Sequence, residues 1–300
     1  MLENKDVKID ELPALFRPRP GHADLAGALK YDEGIREVLE RASARETAMR
    51  VAVGAVAKLF LLEFKIEVAA HVVQIGKAKL GRDLEAVTFD EILKLRKSSE
   101  VSCISSKTSS LIIAEIKRAM SQKDTVGGIY EVRVRGVPIG LGSHVHYKRK
   151  LDGRIAQALM SMQSVKAVEF GLGVQAASTD GSEAHDEIFY DTKRGYYHKT
   201  NHAGGITGGM TNGQEICVRA TMKPISTLRQ ELRSVNMKTK QAEKADFERS
   251  DVCAVPAGSV IGEAIVAFEV ADAFSEKFGG DSMAETKRNY EGYLKQLERS

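Results

Sequence analysis

Histidine is the side chain whose charge changes nearest neutral pH. One histidine, His22, sits in a stiff loop near the start of this sequence, "FRPRPGHADLAGALKY", Phe16 to Tyr31. Pro18 and Pro20 fix their own φ at about −65° and push Arg17 and Arg19 toward extended geometry. Gly21 lets the backbone pass close to a neighbour. A pre-set loop with two arginines and a histidine is a place to meet an anion, although on the residues alone a structural histidine in a turn is the favoured reading.

Other polar stretches have the residue types for chemistry. In "ERASARETAMR", Glu40 to Arg50, Arg41 and Arg45 stand four apart and would share a helix face, with Ser43 between them and within reach of the same ligand only if the helix starts or kinks there. Spacing alone favours a solvated face with an Arg–Glu pair. "TNHAGGITGGMTNG", Thr200 to Gly213, offers backbone amides unshielded by Cβ atoms, without the lysine of a Walker loop. It reads equally as a mobile loop. "KPISTLRQ" from Lys223 sets a cation and two hydroxyls directly after a strand pattern, which is friendly to phosphate. In "ERSDVCAVPAGSVIGEAIVAF", Asp251 follows Arg249 and precedes an apolar helix. It reads either as a satisfied turn carboxylate or as a base in a cationic pocket. His144 and His146 have metal-like spacing but no third ligand, so no metal site is expected.

These stretches interrupt elements with clear periodicity. Ile35 to Phe64 reads as one long helix, "IEVAAHVVQIG" as a strand, and "TFDEILKLRKSSE" as a short helix capped by Thr88. "SSLIIAEIKRAMSQ" and "LDGRIAQALMSMQS" read as helices, "VKAVEFG" and "EICVRATMKP" as strands. "YEVRVRG" alternates, which predicts a half-buried strand with Tyr130, Val132 and Val134 inward and Glu131, Arg133 and Arg135 outward. A helix with Val260, Ile261, Ala264, Ile265 and Phe268 on its inner side follows, then a terminal helix. The mixture predicts an α+β fold with antiparallel sheets and helices on their outer faces. With no linker-like segment, one domain over 1–300 is expected.

Composition narrows the function. Of 300 residues, 43% are hydrophobic and 28% charged, and the net charge is +3, too mild for a nucleic-acid-binding stripe. Cys103, Cys217 and Cys253 are scattered, which predicts a reducing, cytoplasmic setting. No apolar run suits a membrane span, and "MLENKDVKID" lacks the apolar core of a signal peptide.

Taken together, "RPRPGHADLAGALKY", "ERASARETAMRVAVGAV", "GLGSHVHYKRKLDGRIAQALMSMQSVKAVEFG", "GSEAHDEI", "NHAGGITGGMTNG", "KPIST" and "RSDVCAVPAGSVIGEAIVAF" resemble the chorismate synthase family, in the family's order. The resemblance implies a β-α-β sandwich, a homotetramer and a lyase of aromatic amino-acid biosynthesis (the shikimate pathway). Such a lyase eliminates phosphate from 5-enolpyruvylshikimate 3-phosphate in a 1,4 sense, requires reduced FMN, and leaves NADPH open as reductant. It also implies roles: His22 as the acid for the leaving phosphate, and Asp251 assisting proton removal near the flavin. Arg41, Ala42, Ser43, Gln163, Ser164, Gly208, Lys223, Pro224, Ile225, Ser226, Thr227 and Arg249 would bind the flavin, and Arg19 and Arg45 the substrate.

Two departures stand out. Ser164 and Thr207 occupy positions where the family usually has alanine and an acidic residue. Family members also carry an earlier "GESHG"-like segment with a second catalytic histidine, whereas "MLENKD" resembles an internal strand. The chain is therefore expected to be incomplete at its N-terminus. A flavin-binding but catalytically impaired member is the alternative, and a phosphate-binding scaffold without chemistry a third.

Overall fold

The structure is a computed structural model that describes residues 12–96, 98–192 and 194–299. The opening "MLENKD", expected as a strand, lies outside the described residues.

Two short helices, α1 (Asp24–Tyr31) and α2 (Ile35–Ala42), precede α3 (Thr47–Leu62). The strands β1 (Glu67–Ile75) and β2 (Ala78–Lys79) follow, then α4 (Phe89–Arg96), α5 (Ser106–Ser121) and β3 (Gly128–Arg135). Next come α6 (Leu151–Met160), β4 (Val165–Phe170) and the one-turn α7 (Gly181–Ala184). The ribbons β5–β6 (Ile188–Asp191, Gly195–His198) and β7–β8 (Ile206–Thr207, Met210–Thr211) lead to β9 (Ile216–Met222). A ribbon β10–β11 (Arg233–Val235, Ala242–Lys244) precedes α8 (Val255–Phe278) and α9 (Met283–Leu297). The class is α+β, with one antiparallel five-stranded sheet of order β2-β1-β3-β9-β4.

The face of β3 with Tyr130, Val132 and Val134 packs on α8. The approach is close because α8 presents small residues there: a Cβ on Gly262 would stand 2.3 Å from the Tyr130 ring. Gly54 of α3 faces Ala264 in the same way, with a Cβ 2.4 Å from the alanine Cβ and 2.6 Å from its carbonyl oxygen. Phe60, Phe64, Phe274, Phe278 and Tyr290 close the end of the core as edge-on and tilted aromatic pairs.

Three expectations need correction. The long helix breaks at Ser43, which is extended (φ −60°, ψ 138°) and accepts the Arg45 N–H on its hydroxyl, starting a 3-10 turn at Ala44–Glu46. Arg41 and Arg45 therefore do not share a helix face. On α8, Val260 and Phe268 are about half exposed, while Glu263 is buried. Glu263 is admitted because Lys58 and Arg96 pair with it and the Ala70 N–H donates to it.

The third correction concerns β3. Its Glu131–Arg133 face is not solvated: Glu131 is fully buried and Arg133 nearly so. Register places His71, Glu131, Arg219 and Glu169 side by side across four strands. Arg133 Nε donates to Glu131 at 2.7 Å, and Arg219 donates to Glu131 at 3.2 Å and Glu169 at 2.8 Å. Cross-strand neutralisation lets the row be buried.

Candidate active site

His22 closes the turn before α1, partly exposed: its N–H donates to the Arg19 carbonyl at 3.2 Å across Pro20 and the left-handed Gly21 (φ 77°). Its Nδ1 lies 2.5 Å from Oδ1 of Asp24, the first residue of α1. Arg19 wraps the same carboxylate: Nε is 2.7 Å from Oδ2, Nη2 is 2.9 Å from Oδ1, and its backbone N–H donates at 3.0 Å. Burial alone would raise the Asp24 carboxyl. The hydrogen bonds from Arg19 and His22 outweigh it and hold the group far below the usual carboxylate range.

Arg19 is 6% exposed, and a further N–H goes to Thr227 Oγ1 at 2.8 Å. Its guanidinium is thus largely committed to fixing Asp24 and Thr227. Arg17, expected to hold substrate anions, is paired with Asp246 and Glu243. Arg45 pairs with Glu40 at 2.9 Å, the local Arg–Glu pair that spacing suggested.

The flavin-assigned stretches form a chain of contacts that ends at His22. The turn after Ser43 carries Glu46, which accepts from Gln163 Nε2 at 2.9 Å. Ser164 follows in left-handed geometry (φ 69°), and its carbonyl accepts the Lys223 N–H at 2.9 Å. The Lys223 ammonium reaches the Gly21 carbonyl, one residue from His22. Burial, then the charge of Lys166, lowers the Lys223 pKa. Ile225 accepts from Thr125 Oγ1 at 2.7 Å, and Pro224 and Ser226 lie in the same turn. Arg41 and Ala42 end α2 beside Ser43, Arg41 exposed.

Asp251 joins through its neighbour: Ser250 Oγ donates to the Thr227 carbonyl at 2.7 Å. The exposed Asp251 lines a cavity of about 370 Å³ with Thr227, Lys123 and Cys253. His22 does not line that cavity. Arg249 is exposed, with no ion-pair partner among the described residues.

Gly208 stands apart from the others. It lies in the exposed turn of β7–β8, whose Gly209 backs onto Lys150 at the start of α6, while Gln163 and Ser164 follow the end of α6. The helix's 10 residues span about 15 Å. A cleft of about 700 Å³ over the charged face of the sheet contains none of the assigned residues. Its Arg133 and Arg219 spend their donors on carboxylates and carbonyls.

Does this site suit a flavin? Gln163 Oε1 is a buried acceptor with no hydrogen-bond partner. A ring N–H would satisfy it, and Lys223 and the exposed Arg41 and Arg249 supply charge for a phosphate. The donor set fits the group.

Sequence reasoning missed Asp24. A signal was present, since "GHAD" places a carboxylate two residues after the histidine. It missed the Ser43 break as well, though "SARE" is a capping-box pattern.

The fold and the site together define an α+β protein that mounts a carboxylate-held histidine among cations, a class suited to anionic small molecules. A family model described as chorismate synthase matches residues 1–275. The chain is 52% identical over 293 residues to "Chorismate synthase" of Geobacter sulfurreducens, covering 95% of this chain and 74% of that protein. It is 53% identical over 285 residues to the same-named protein of Solibacter usitatus, covering 94% and 72%. A solved structure, "Crystal Structure of Chorismate Synthase", superposes with a TM-score of 0.81 at 40% identity, covering 93% of this chain and 77% of that one. The chain belongs to the chorismate synthase family.

Among the described residues no helix is long and apolar enough to cross a membrane, and no group of three or more His, Cys, Asp or Glu is placed to hold a metal.

Proposed function

We propose that the chain, as one domain over 1–300, acts as a lyase that eliminates phosphate from 5-enolpyruvylshikimate 3-phosphate to give chorismate. The setting is cytoplasmic, the assembly a homotetramer, the cofactor reduced FMN, and NADPH remains open as its reductant. The observation that carries this reading is the His22–Asp24–Arg19 cluster, tied through Lys223 and Ser164 to the unpaired acceptor of Gln163.

Gln163, Ser164, the Arg41–Ser43 turn, Lys223–Thr227 and Arg249 would hold the flavin, which would supply electron density to the substrate as its C–O bond breaks. His22 gives its Nε2 proton to the departing phosphoryl oxygen. A phosphate gains charge as it leaves, so a proton delivered then lowers the barrier, by about 10²–10⁴ in rate for a well-placed acid. Asp251, which lines a cavity with Thr227, assists removal of the one ring hydrogen that leaves with the phosphate. The proline-set loop keeps the acid in place before substrate arrives.

The test is anaerobic turnover with reduced FMN and substrate. Formation of chorismate with release of phosphate supports the reading. Flavin uptake without turnover refutes it in favour of an impaired member.

A further inference from the structure

Asp24 is 1% exposed, and its carboxylate takes part in four contacts: one with the His22 ring and three with Arg19. An ionised carboxylate only accepts hydrogen bonds. A 2.5 Å contact with Nδ1 therefore puts a proton on that nitrogen. Arg19 Nη2 lies 3.1 Å from the same Nδ1 and cannot also donate to it. The neutral ring then has its lone pair on Nε2, where Arg19 Nη2 makes only a long contact of 3.5 Å, and the charged ring has there the one N–H that no carboxylate takes.

Charge points the same way. The Asp24 and Arg19 charges cancel beside the ring, so giving up the proton takes the three-residue cluster from a net single positive charge to neutral. Asp24 opens α1, where the helix's N-terminal dipole also favours an anion. Arg19 is fixed in turn by Thr227, whose carbonyl is held by Ser250. The ring's orientation is thus referred to the segments on both sides of the flavin-assigned residues.

We propose that Asp24 is the positioning residue for His22: it locks Nδ1–H, so that Nε2 alone faces the substrate and acts as the proton donor. The proposal rests on the reading of His22 as the acid. Asp24 touches no reacting atom.

Two measurements test it. Two-bond ¹H–¹⁵N spectra of the full chain, free of flavin, report the tautomer of His22, whose signals are assigned by their loss in His22→Ala. The wild type is expected to show the Nδ1–H form. Asp24→Asn, which conserves volume, is expected to shift population to Nε2–H. Retention of the Nδ1–H form in Asp24→Asn overturns the proposal.

The second measurement is kinetic, under anaerobic conditions with reduced FMN. Asp24→Asn is expected to lower kcat by at least about 10-fold and up to about 10⁴-fold, the upper figure being the cost when the Asp that fixes a catalytic histidine's tautomer becomes Asn, with KM little changed. His22→Ala combined with Asp24→Asn is expected to be no slower than His22→Ala alone. If Asp24→Asn costs the same factor in both backgrounds, its effect does not pass through His22 and the proposal fails. If His22→Ala alone leaves kcat unchanged, the acid reading fails and takes the proposal with it. A tautomer switch in Asp24→Asn would then show that the geometry was right and its use wrong.

Discussion

Replacing Glu131 with Gln is expected to destabilise the fold by about 3 kcal/mol at pH 7, and the deficit is expected to shrink in acid. Burial alone would raise this carboxyl. The hydrogen bond to His71 and the charge of Arg133 reverse that and bring it down to about 2, against an ordinary 4.5. A tenfold change in proton affinity is worth about 1.4 kcal/mol, so the gap is worth about 3 kcal/mol. Breaking a buried ion pair independently gives about 3–5 kcal/mol. The lower end is apt here, because Arg133 keeps its carbonyl partners and Arg219 keeps Glu169.

The sign follows from a folded pKa below the unfolded one. The stabilisation is fully present above about pH 4.5 and is lost as pH falls toward 2, reaching roughly half near pH 3. Urea unfolding of wild type and Glu131→Gln at a series of pH values reads this directly. A difference under about 1 kcal/mol at pH 7, or one that stays constant between pH 7 and pH 3, would refute the reasoning about the buried row.

Other outcomes follow from the packing and the site. Gly54→Ala gains about 1 kcal/mol of helix propensity. It places a methyl against the Ala264 backbone, so a net loss of about 1–3 kcal/mol in urea unfolding is expected. Gln163→Ala is expected to weaken FMN affinity about tenfold in fluorescence titration, the worth of one hydrogen bond to a buried partner. The Asp24→Asn tautomer and rate effects complete the set.

Much of the fold was legible because its elements carry strong periods. The alternation of β3 and β9 and the Thr88 cap of α4 are local signals, and Thr88 and Glu91 do exchange hydrogen bonds. What the sequence hid depends on partners far along the chain. Alternation assigned Glu131 and Arg133 to solvent, but Arg219, distant in sequence, pairs with Glu131, and Glu215 pairs with Arg133. On the inner side of α8, Ile261, Ala264 and Ile265 do pack inward, while Val260 and Phe268 face outward because that helix is apolar nearly all round. Closeness to Tyr130 selects Gly262 and its neighbours rather than the bulky Phe268. In the site, His22 was visible as a histidine in a rigid cationic loop. Its dependence on Asp24 rests on Arg19 being turned inward to Thr227 instead of outward to a ligand, a contact between residues far apart in sequence.

The most direct measurement is a single turnover of His22→Ala with reduced FMN and substrate bound, followed by phosphate release. The account expects the release step to slow about 10²–10⁴-fold while flavin and substrate affinities hold. Release at the wild-type rate would contradict it.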